Sequence, residues 1–391
     1  MSKPRLSVVM CAYNEEQYIM QAIDSILAQT YSDFELIIVD DASTDGTQGI
    51  IQRYEDKRIL YIRNESNLGP YRSANKGIAL ASGELIARHD ADDISLPDRF
   101  ELQVDNLAKN PEIGLVSTDF QYIDHKGRLI ESVNLPEDHD ALVARLNKGN
   151  IFAQGALMFR KILFDQLGGY NKNITIAQDY DMWLRFSEVC RLINIQKPLF
   201  LVRFHGKSIS RNKRDLQLAY QDFAWDQAQR RRSGQAEIPI PEDILSVYQP
   251  DPYKLFLDAR GCAYLYFVSE DKQRAIDSLK RAYELQPLDQ TNKKSWLDWA
   301  LSRAILLANI RDDPKEGANF LIWFQSNCPP TLDHNLIQKE VGTFYAQQAF
   351  ESYMKDDKKR VIKNSILAIK NDWNWVKNRG LIVLILKSVI S

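Results

Sequence analysis

The chain has 391 residues, 45% hydrophobic and 26% charged, a globular balance that at roughly 100–200 residues per domain predicts two domains. A formal net charge of -2 leaves no electrostatic footprint for nucleic acid, so no nucleic-acid partner is expected. Cys11, Cys190, Cys262 and Cys328 lie far apart, which argues against a zinc knuckle or a disulfide framework and for a reducing compartment.

No window approaches the ~20 apolar residues of a membrane span. The run Leu6 to Met10 after Lys3 and Arg5 is too short for a signal-peptide core. A cytoplasmic location is therefore expected.

Leu6 to Cys11 (L-S-V-V-M-C) is short, apolar and bounded by polar residues, as a buried strand is. Helical spacing follows at Ile19, Ala22, Ile23, Ile26 and Leu27. Phe34 to Val39 reads as a second strand, after which Ser43 or Thr44 is placed to cap a helix. Ile59 to Ile62 is a third strand. A helix through Ala74, Ile78 and Ala81 is expected to close at Gly83, and Leu85 to Ala87 is a fourth strand. Strand–helix alternation to about residue 110 predicts a mostly parallel sheet flanked by helices, the α/β class.

Ligands bind such sheets beyond the carboxyl ends of the strands. Three polar clusters fall there: Ala12 to Glu16, Asp40 to Asp45, and Asp90 to Asp93. The last packs three carboxylates into four residues, which repel one another unless a cation sits among them. Hard cations such as Mg²⁺ and Mn²⁺ take carboxylates together with substrate phosphates, so Asp90-Ala91-Asp92 reads as a metal-and-phosphate site. Neither G-x-G-x-x-G nor a P-loop follows the first strand, which argues against dinucleotide oxidoreductases and P-loop NTPases. Tyr13 stands there instead, able to stack on a base, and Asp41 can accept from a base N–H.

In order and spacing, C-A-Y-N-E-E, V-D-D-A-S-T-D-G-T, N-L-G-P-Y-R-S-A-N-K-G-I and H-D-A-D-D resemble the family 2 inverting glycosyltransferases, over about residues 5 to 212. The resemblance implies a GT-A fold and hexosyl transfer from a nucleotide diphosphate sugar, usually a UDP-sugar, helped by Mn²⁺ or Mg²⁺. It implies that Cys11, Ala12 and Tyr13 line the base pocket and that Asp41 bonds the uracil. Arg72 would reach toward the donor. Asp90 and Asp92 would form the DxD motif, Asp92 nearest the metal and Asp90 toward the ribose, with Asp93 structural. Ala177 to Arg185 matches the pattern Glu-Asp-x-x-x-Trp, making Asp179 the general base, with Gln178 in place of the usual Glu. Leu201 to Ser210 resembles the closing R-x-H-x-x-S-x-S segment. There His205 is a ligand of the metal or a contact of the diphosphate, and Lys207, Ser208 and Ser210 offer donors to phosphate oxygens. The acceptor would be a glycan, a lipid-linked molecule or a protein, in cell-surface polysaccharide, glycolipid or glycoprotein assembly.

After Asn212 the character changes. The expected organisation is a GT-A domain over 1–225, a linker over 226–250 and an all-α domain over 251–391. Ala259, Ala263, Tyr266, Ala275, Leu279, Ala282 and Pro287 follow tetratricopeptide-like spacing, with a weak second copy at Ala349, Tyr353, Val361 and Ala368. That domain is expected to pack as a bundle or to bind a protein partner. Trp373, Trp375, Lys377 and Arg379 before the apolar run Gly380 to Ile390 raise peripheral contact with the cytoplasmic membrane face, with burial of that last helix favoured. The competing reading is a catalytically weak or inactive transferase-like scaffold acting through its helical half. Intact Asp41, Asp92 and Asp179 speak against it and Gln178 speaks weakly for it.

Overall fold

A computed structural model describes residues 4–205, 214–287, 293–328 and 334–390. Two compact units emerge, one from Met1–Arg128 and Ser132–Pro250, the other from Leu129–Glu131 and Asp251–Ser391.

The first unit is built on strands β1 (Leu6–Ala12), β2 (Phe34–Asp40), β3 (Ile59–Arg63), β4 (Leu85–Asp90), β5 (Ile94–Ser95), β6 (Ile113–Ile123), β8 (Met158–Arg160) and β9 (Arg191–Arg203), and holds only Ser132 and Val133 of β7 (Leu129–Val133). Apart from β7, they run in the order β3-β2-β1-β4-β8-β6-β9-β5. β1 pairs in parallel with both β2 and β4, and β2 with β3. Both faces of these strands are covered, which is why β1, β2 and β4 read as continuous apolar runs rather than alternating ones. Register places Ala12 opposite Asp40, and Cys11 opposite Asp90. The three polar clusters therefore leave the sheet along one edge. Beyond β4 the sheet is mixed: β8 runs antiparallel between β4 and β6, while β9 is parallel to β6.

The helices of this unit that bear on the site are α1 (Ile19–Leu27), α2 (Thr47–Ile51), α3 (Pro70–Leu80), α4 (Arg99–Lys109), α5 (His139–Leu146), α6 (Lys161–Gln166) and α7 (Gln178–Val189). Two local expectations fail for identifiable reasons. Ser43 and Thr44 do not cap α2, whose N-cap is Gly46, because Ser43 Oγ accepts from Asn14 N at 3.1 Å across the strand ends. Gly83 does not close α3. The helix ends at Leu80 and Ala81 is already extended. Glycine is required at 83 by crowding, since a Cβ there would lie 2.7 Å from Ser7 N and 2.8 Å from Leu6 C of β1. Asp124 to Gly127 form a turn, with Gly127 N donating to Asp124 O at 2.9 Å.

The second unit is helical. Its helices from Pro252–Val268 to Lys358–Asn371 pair as Pro252–Val268 with Lys272–Leu285, Lys293–Arg311 with Pro314–Asn327, and His334–Met354 with Lys358–Asn371, before a last helix, Arg379–Ile390. Each pair turns the same way. A left-handed residue, Glu270, Asp312 or Asp356, precedes an aspartate whose side chain caps the second helix: Asp271 to Arg274 N, Asp313 to Lys315 N and Asp357 to Arg360 N. Three copies thus exist where apolar spacing showed at most two. They recur at just over forty residues, longer than the ~34 of a tetratricopeptide unit. The last helix buries Leu381 and Leu384 and exposes Val383 and Leu386. Among the described residues no helix is long and apolar enough to cross a membrane.

Candidate active site

The acidic stretch leaves β4 at the sheet edge fixed by register, and its residues have different surroundings. His89 is buried, its Nδ1 2.8 Å from Asp90 O. Burial, aided by Arg99, pushes its pKa down to about 3, so it stays neutral and structural. Asp90 faces the cleft with its side chain 41% open and Arg88 NH2 3.8 Å away. The cleft walls still cost this carboxylate hydration, and Asp92 and Asp179 repel its charge. Despite Arg88, its pKa rises to about 6. Asp93 is buried and accepts from Arg203 N at 2.7 Å. Burial and its two acidic neighbours hold its pKa well above the carboxylate range. A structural role for Asp93 agrees with this placement.

Asp92 Oδ2 lies 2.8 Å from His205 Nε2, joining residues 113 positions apart. Glu15 completes a group in which one ligand atom from each of Glu15, Asp92 and His205 lies within 4.8 Å of the others. Two carboxylates and an imidazole suit a divalent cation that accepts oxygen and nitrogen donors, as Mn²⁺ does, so these residues fit the metal that the fold implies. Arg203 on β9 sets the geometry from behind. Its Nε donates to Asp92 O at 2.9 Å, NH1 to Asp124 O at 3.1 Å and NH2 to Gln21 Oε1 at 2.9 Å. The guanidinium also lies 4.5 Å from the Tyr18 ring, which packs on His205 at 5.4 Å. Lys207, Ser208 and Ser210 lie outside the described residues.

Two buried arginines stand beneath the acids. Arg88 NH1 donates to Val9 O at 2.7 Å, and the Gln154 amide, with its oxygen toward Arg88, accepts from NH2 at 2.7 Å. Arg99 donates to Arg88 O and Leu157 O, each at 3.1 Å, and burial pushes its pKa down to about 9.

On the other side of β1, Cys11 is half-buried, Ala12 is buried and Tyr13 is 45% exposed at the rim. The loops after β1 and β2 are laced together: Asp41 N donates to Ala12 O at 2.8 Å, and Thr44 N to Asn14 Oδ1 at 2.7 Å. Asn14 and Ala42 take left-handed backbone conformations there. Asp41 is buried and engaged with its own chain. Oδ1 accepts from Asn64 Nδ2 and Leu68 N, and Oδ2 from Gly69 N, all at 2.8 Å. It pins the turn that starts α3. Arg72, in the first turn of α3, is exposed and its NH2 lies 3.4 Å from Lys172 O.

Asp179 sits in the first turn of α7, just after Ala177 in a left-handed conformation. Asn150 Nδ2 donates to its Oδ2 at 2.7 Å. Burial raises its pKa, opposed by hydrogen bonds from the Tyr180 N–H, Asn150 and Tyr71. Trp183, one turn on, is fully buried against Phe159 and Phe186. Gln178 is buried. Its buried amide nitrogen donates to Ile174 O, and its Oε1 has no partner. The fold thus brings Cys11, Asp90, Asp92, Asp179 and His205 to one rim. The sequence reading assigns no role to Glu15, Arg203, Tyr71 or Asn150; Glu15 lies in a cluster already noted as polar, Tyr71 and Arg203 lie inside the motif segments quoted above, and Asn150 lies in none of them.

Comparison with known proteins gives this arrangement its context. Residues 7–168 match the family model described as Glycosyl transferase family 2. EpsE of Bacillus subtilis (strain 168) is 37% identical over 220 residues, covering 54% of this chain and 77% of that protein. The O-antigen biosynthesis glycosyltransferase WbnJ of Escherichia coli is 33% identical over 228 residues, covering 56% of this chain and 85% of WbnJ. A crystal structure of S. aureus TarS 1-349 with UDP aligns at a TM-score of 0.47 and 14% identity, covering 94% of this chain and 91% of that one. By the match of residues 7–168 to the family model and by its likeness to EpsE and WbnJ, the chain belongs to glycosyl transferase family 2.

Proposed function

We propose that the chain transfers a hexosyl group from a nucleoside diphosphate donor, a UDP-sugar, to an acceptor hydroxyl with inversion at the anomeric carbon. The carrying observation is that the Glu15–Asp92–His205 group and Asp179 stand on one sheet edge, around Asp90. A donor pyrophosphate and an acceptor hydroxyl require neighbouring sites of these two kinds.

Tyr13 offers an exposed ring for the base, and the Asp41-pinned turn shapes the wall beside it. Asp90 faces the ribose. Glu15, Asp92 and His205 would hold the divalent cation, whose charge offsets that developing on the diphosphate. Asp179 accepts the proton of the acceptor hydroxyl. The acceptor oxygen bonds to the anomeric carbon, and the C–O bond to the diphosphate breaks with its electron pair leaving on the nucleotide. A single displacement inverts the centre, and a positioned base contributes ~10²–10⁴-fold. The relative named for O-antigen biosynthesis supports an acceptor in cell-surface polysaccharide assembly, on the cytoplasmic side of the membrane.

The test is a thermal-shift screen of nucleoside diphosphates and their sugars with and without Mn²⁺, followed by assay of UDP release. A donor at about 100 times its Kd stabilises the fold by ~2.7 kcal/mol. Asp92→Asn is expected to abolish both the Mn²⁺-dependent shift and UDP release. A chain that no nucleotide shifts would refute the assignment.

A further inference from the structure

The environment of Asp179 is more specific than a general base requires, and the inference drawn from it rests on the proposed role of Asp179 as that base. Two separate segments converge on one carboxylate. Asn150, in the loop after α5, donates through Nδ2 to Asp179 Oδ2 at 2.7 Å. Its amide cannot be turned over without loss, because its own Oδ1 accepts from Phe152 N at 3.2 Å. Tyr71, in the first turn of α3, stands beside the same carboxylate, and its hydroxyl favours the ionised form. Its ring is held edge-on by Tyr170 at 5.1 Å. Tyr170 is itself tied down, its N donating to Asn75 Oδ1 at 3.0 Å and its O accepting from Asn75 Nδ2 at 2.9 Å.

We infer that Asn150 and Tyr71 are positioning residues that clamp the Asp179 carboxylate, fixing its rotation about Cβ–Cγ and so the direction in which its remaining lone pairs meet the acceptor hydroxyl. A first-turn aspartate without such partners rotates among several orientations, only some of them productive. Both partners donate, so they favour the ionised form that a base must present. Both sit on elements that converge with α7 only in the folded first unit, so the clamp forms as the acceptor side of the cleft does.

The informative substitution is Asn150→Asp. It is isosteric and keeps an oxygen for Phe152 N, so the loop survives, but in its ionised form it cannot donate to Asp179 and sets a like charge against it. Tyr71→Phe removes the second donor and keeps the ring on Tyr170. Two measurements use the full chain. In the first, ¹³Cγ-aspartate NMR follows carboxylate titration, with the Asp179 resonance assigned by its loss in Asp179→Asn. In the second, UDP release with Mn²⁺ is followed from UDP-glucose, UDP-galactose and their N-acetylated forms, water serving as acceptor.

For Asn150→Asp the Asp179 titration and the acid limb of the rate profile are expected to move up by about one pH unit. The turnover number should fall about tenfold or more, with KM for the UDP-sugar within about twofold. Tyr71→Phe should do the same to a smaller extent. An Asn150→Asp protein that titrates and turns over like wild type overturns the clamp. Asp179→Asn with wild-type turnover sinks the base assignment itself, whereas inactive Asp179→Asn beside unaltered Asn150→Asp sinks only the clamp. If none of the four sugars is hydrolysed, the NMR titration decides alone.

Discussion

Arg203→Met tests whether the acidic rim is held from behind by a single guanidinium. Methionine keeps much of the stem's packing and removes all the donors. Three acceptors then lose their partner: Asp92 O at 2.9 Å, Asp124 O at 3.1 Å and Gln21 Oε1 at 2.9 Å. A bond from a charged donor is worth about 1.5–3 kcal/mol, and an acceptor left buried and unpaired costs about 1–3 kcal/mol. The three share one group, so their losses do not add, and Gln21, itself exposed, regains water. The cation over the Tyr18 ring at 4.5 Å contributes about 0.5–2 kcal/mol more. A net loss of about 3–4 kcal/mol is expected, which for a unit of this size lowers Tm by about 6–16 °C. The Arg203 N–H to Asp93 bond is main-chain and survives, so the fold should persist with a loosened Asp92. Chemical denaturation reads the stability, and the Mn²⁺-induced rise in Tm reads the rim. A loss below about 1 kcal/mol with an unchanged Mn²⁺ response would refute the reasoning.

Three further outcomes follow from particular contacts. His205→Ala removes one of three converging ligand groups and should weaken Mn²⁺ by about tenfold or more, seen by titration calorimetry without any sugar present. Gly83→Ala forces a Cβ to within 2.7 Å of Ser7 N and should cost about 1–3 kcal/mol by denaturant titration, with UDP release per folded molecule retained. Gln178→Glu replaces the buried donor to Ile174 O with an acceptor and should destabilise by about 1–3 kcal/mol. That loss should be larger at pH 8 than at pH 5, because a protonated Glu can still donate and an ionised one cannot. Equal losses at both values would show that residue 178 has left this pocket.

Much of the first unit was readable because its physics is local. Strands buried on both faces must be apolar along their length, so Leu6–Ala12 and Phe34–Asp40 announce themselves. Three adjoining carboxylates at a strand end stand out in the same way. What escaped notice depends on contacts distant in sequence. Arg203 meets Asp92 across 111 positions, and Asn150 meets Asp179 across 29. No spacing rule encodes either. Ser43 misled because its cap propensity was real, but the bond to Asn14 uses the same oxygen. The helical unit hid its third copy for a different reason. Its repeat is carried by the left-handed residue and capping aspartate of each turn, which a reading of apolar spacing does not register.

The charges under the rim explain why three adjoining aspartates are tolerable. Arg88 and Arg99 are fully buried, and Arg203 nearly so. Arg88 lies against Asp90, while Arg99 and Arg203 donate to main-chain carbonyls of the strand and loop that carry the acids. Three positive charges in low-dielectric surroundings offset Asp90, Asp92 and Asp93 from the protein side. Glu15 is then the additional carboxylate of the rim cluster, and with Asp92 and His205 it faces the cleft. A rim so balanced should hold its shape at neutral pH whether or not a cation is bound, and should bind one more tightly when a pyrophosphate brings further oxygens. On that reasoning Mn²⁺ alone should raise Tm less than Mn²⁺ and UDP together by more than the sum of their separate effects. Strict additivity would mean that metal and nucleotide bind independently, and the shared site inferred from Glu15, Asp92 and His205 would be wrong.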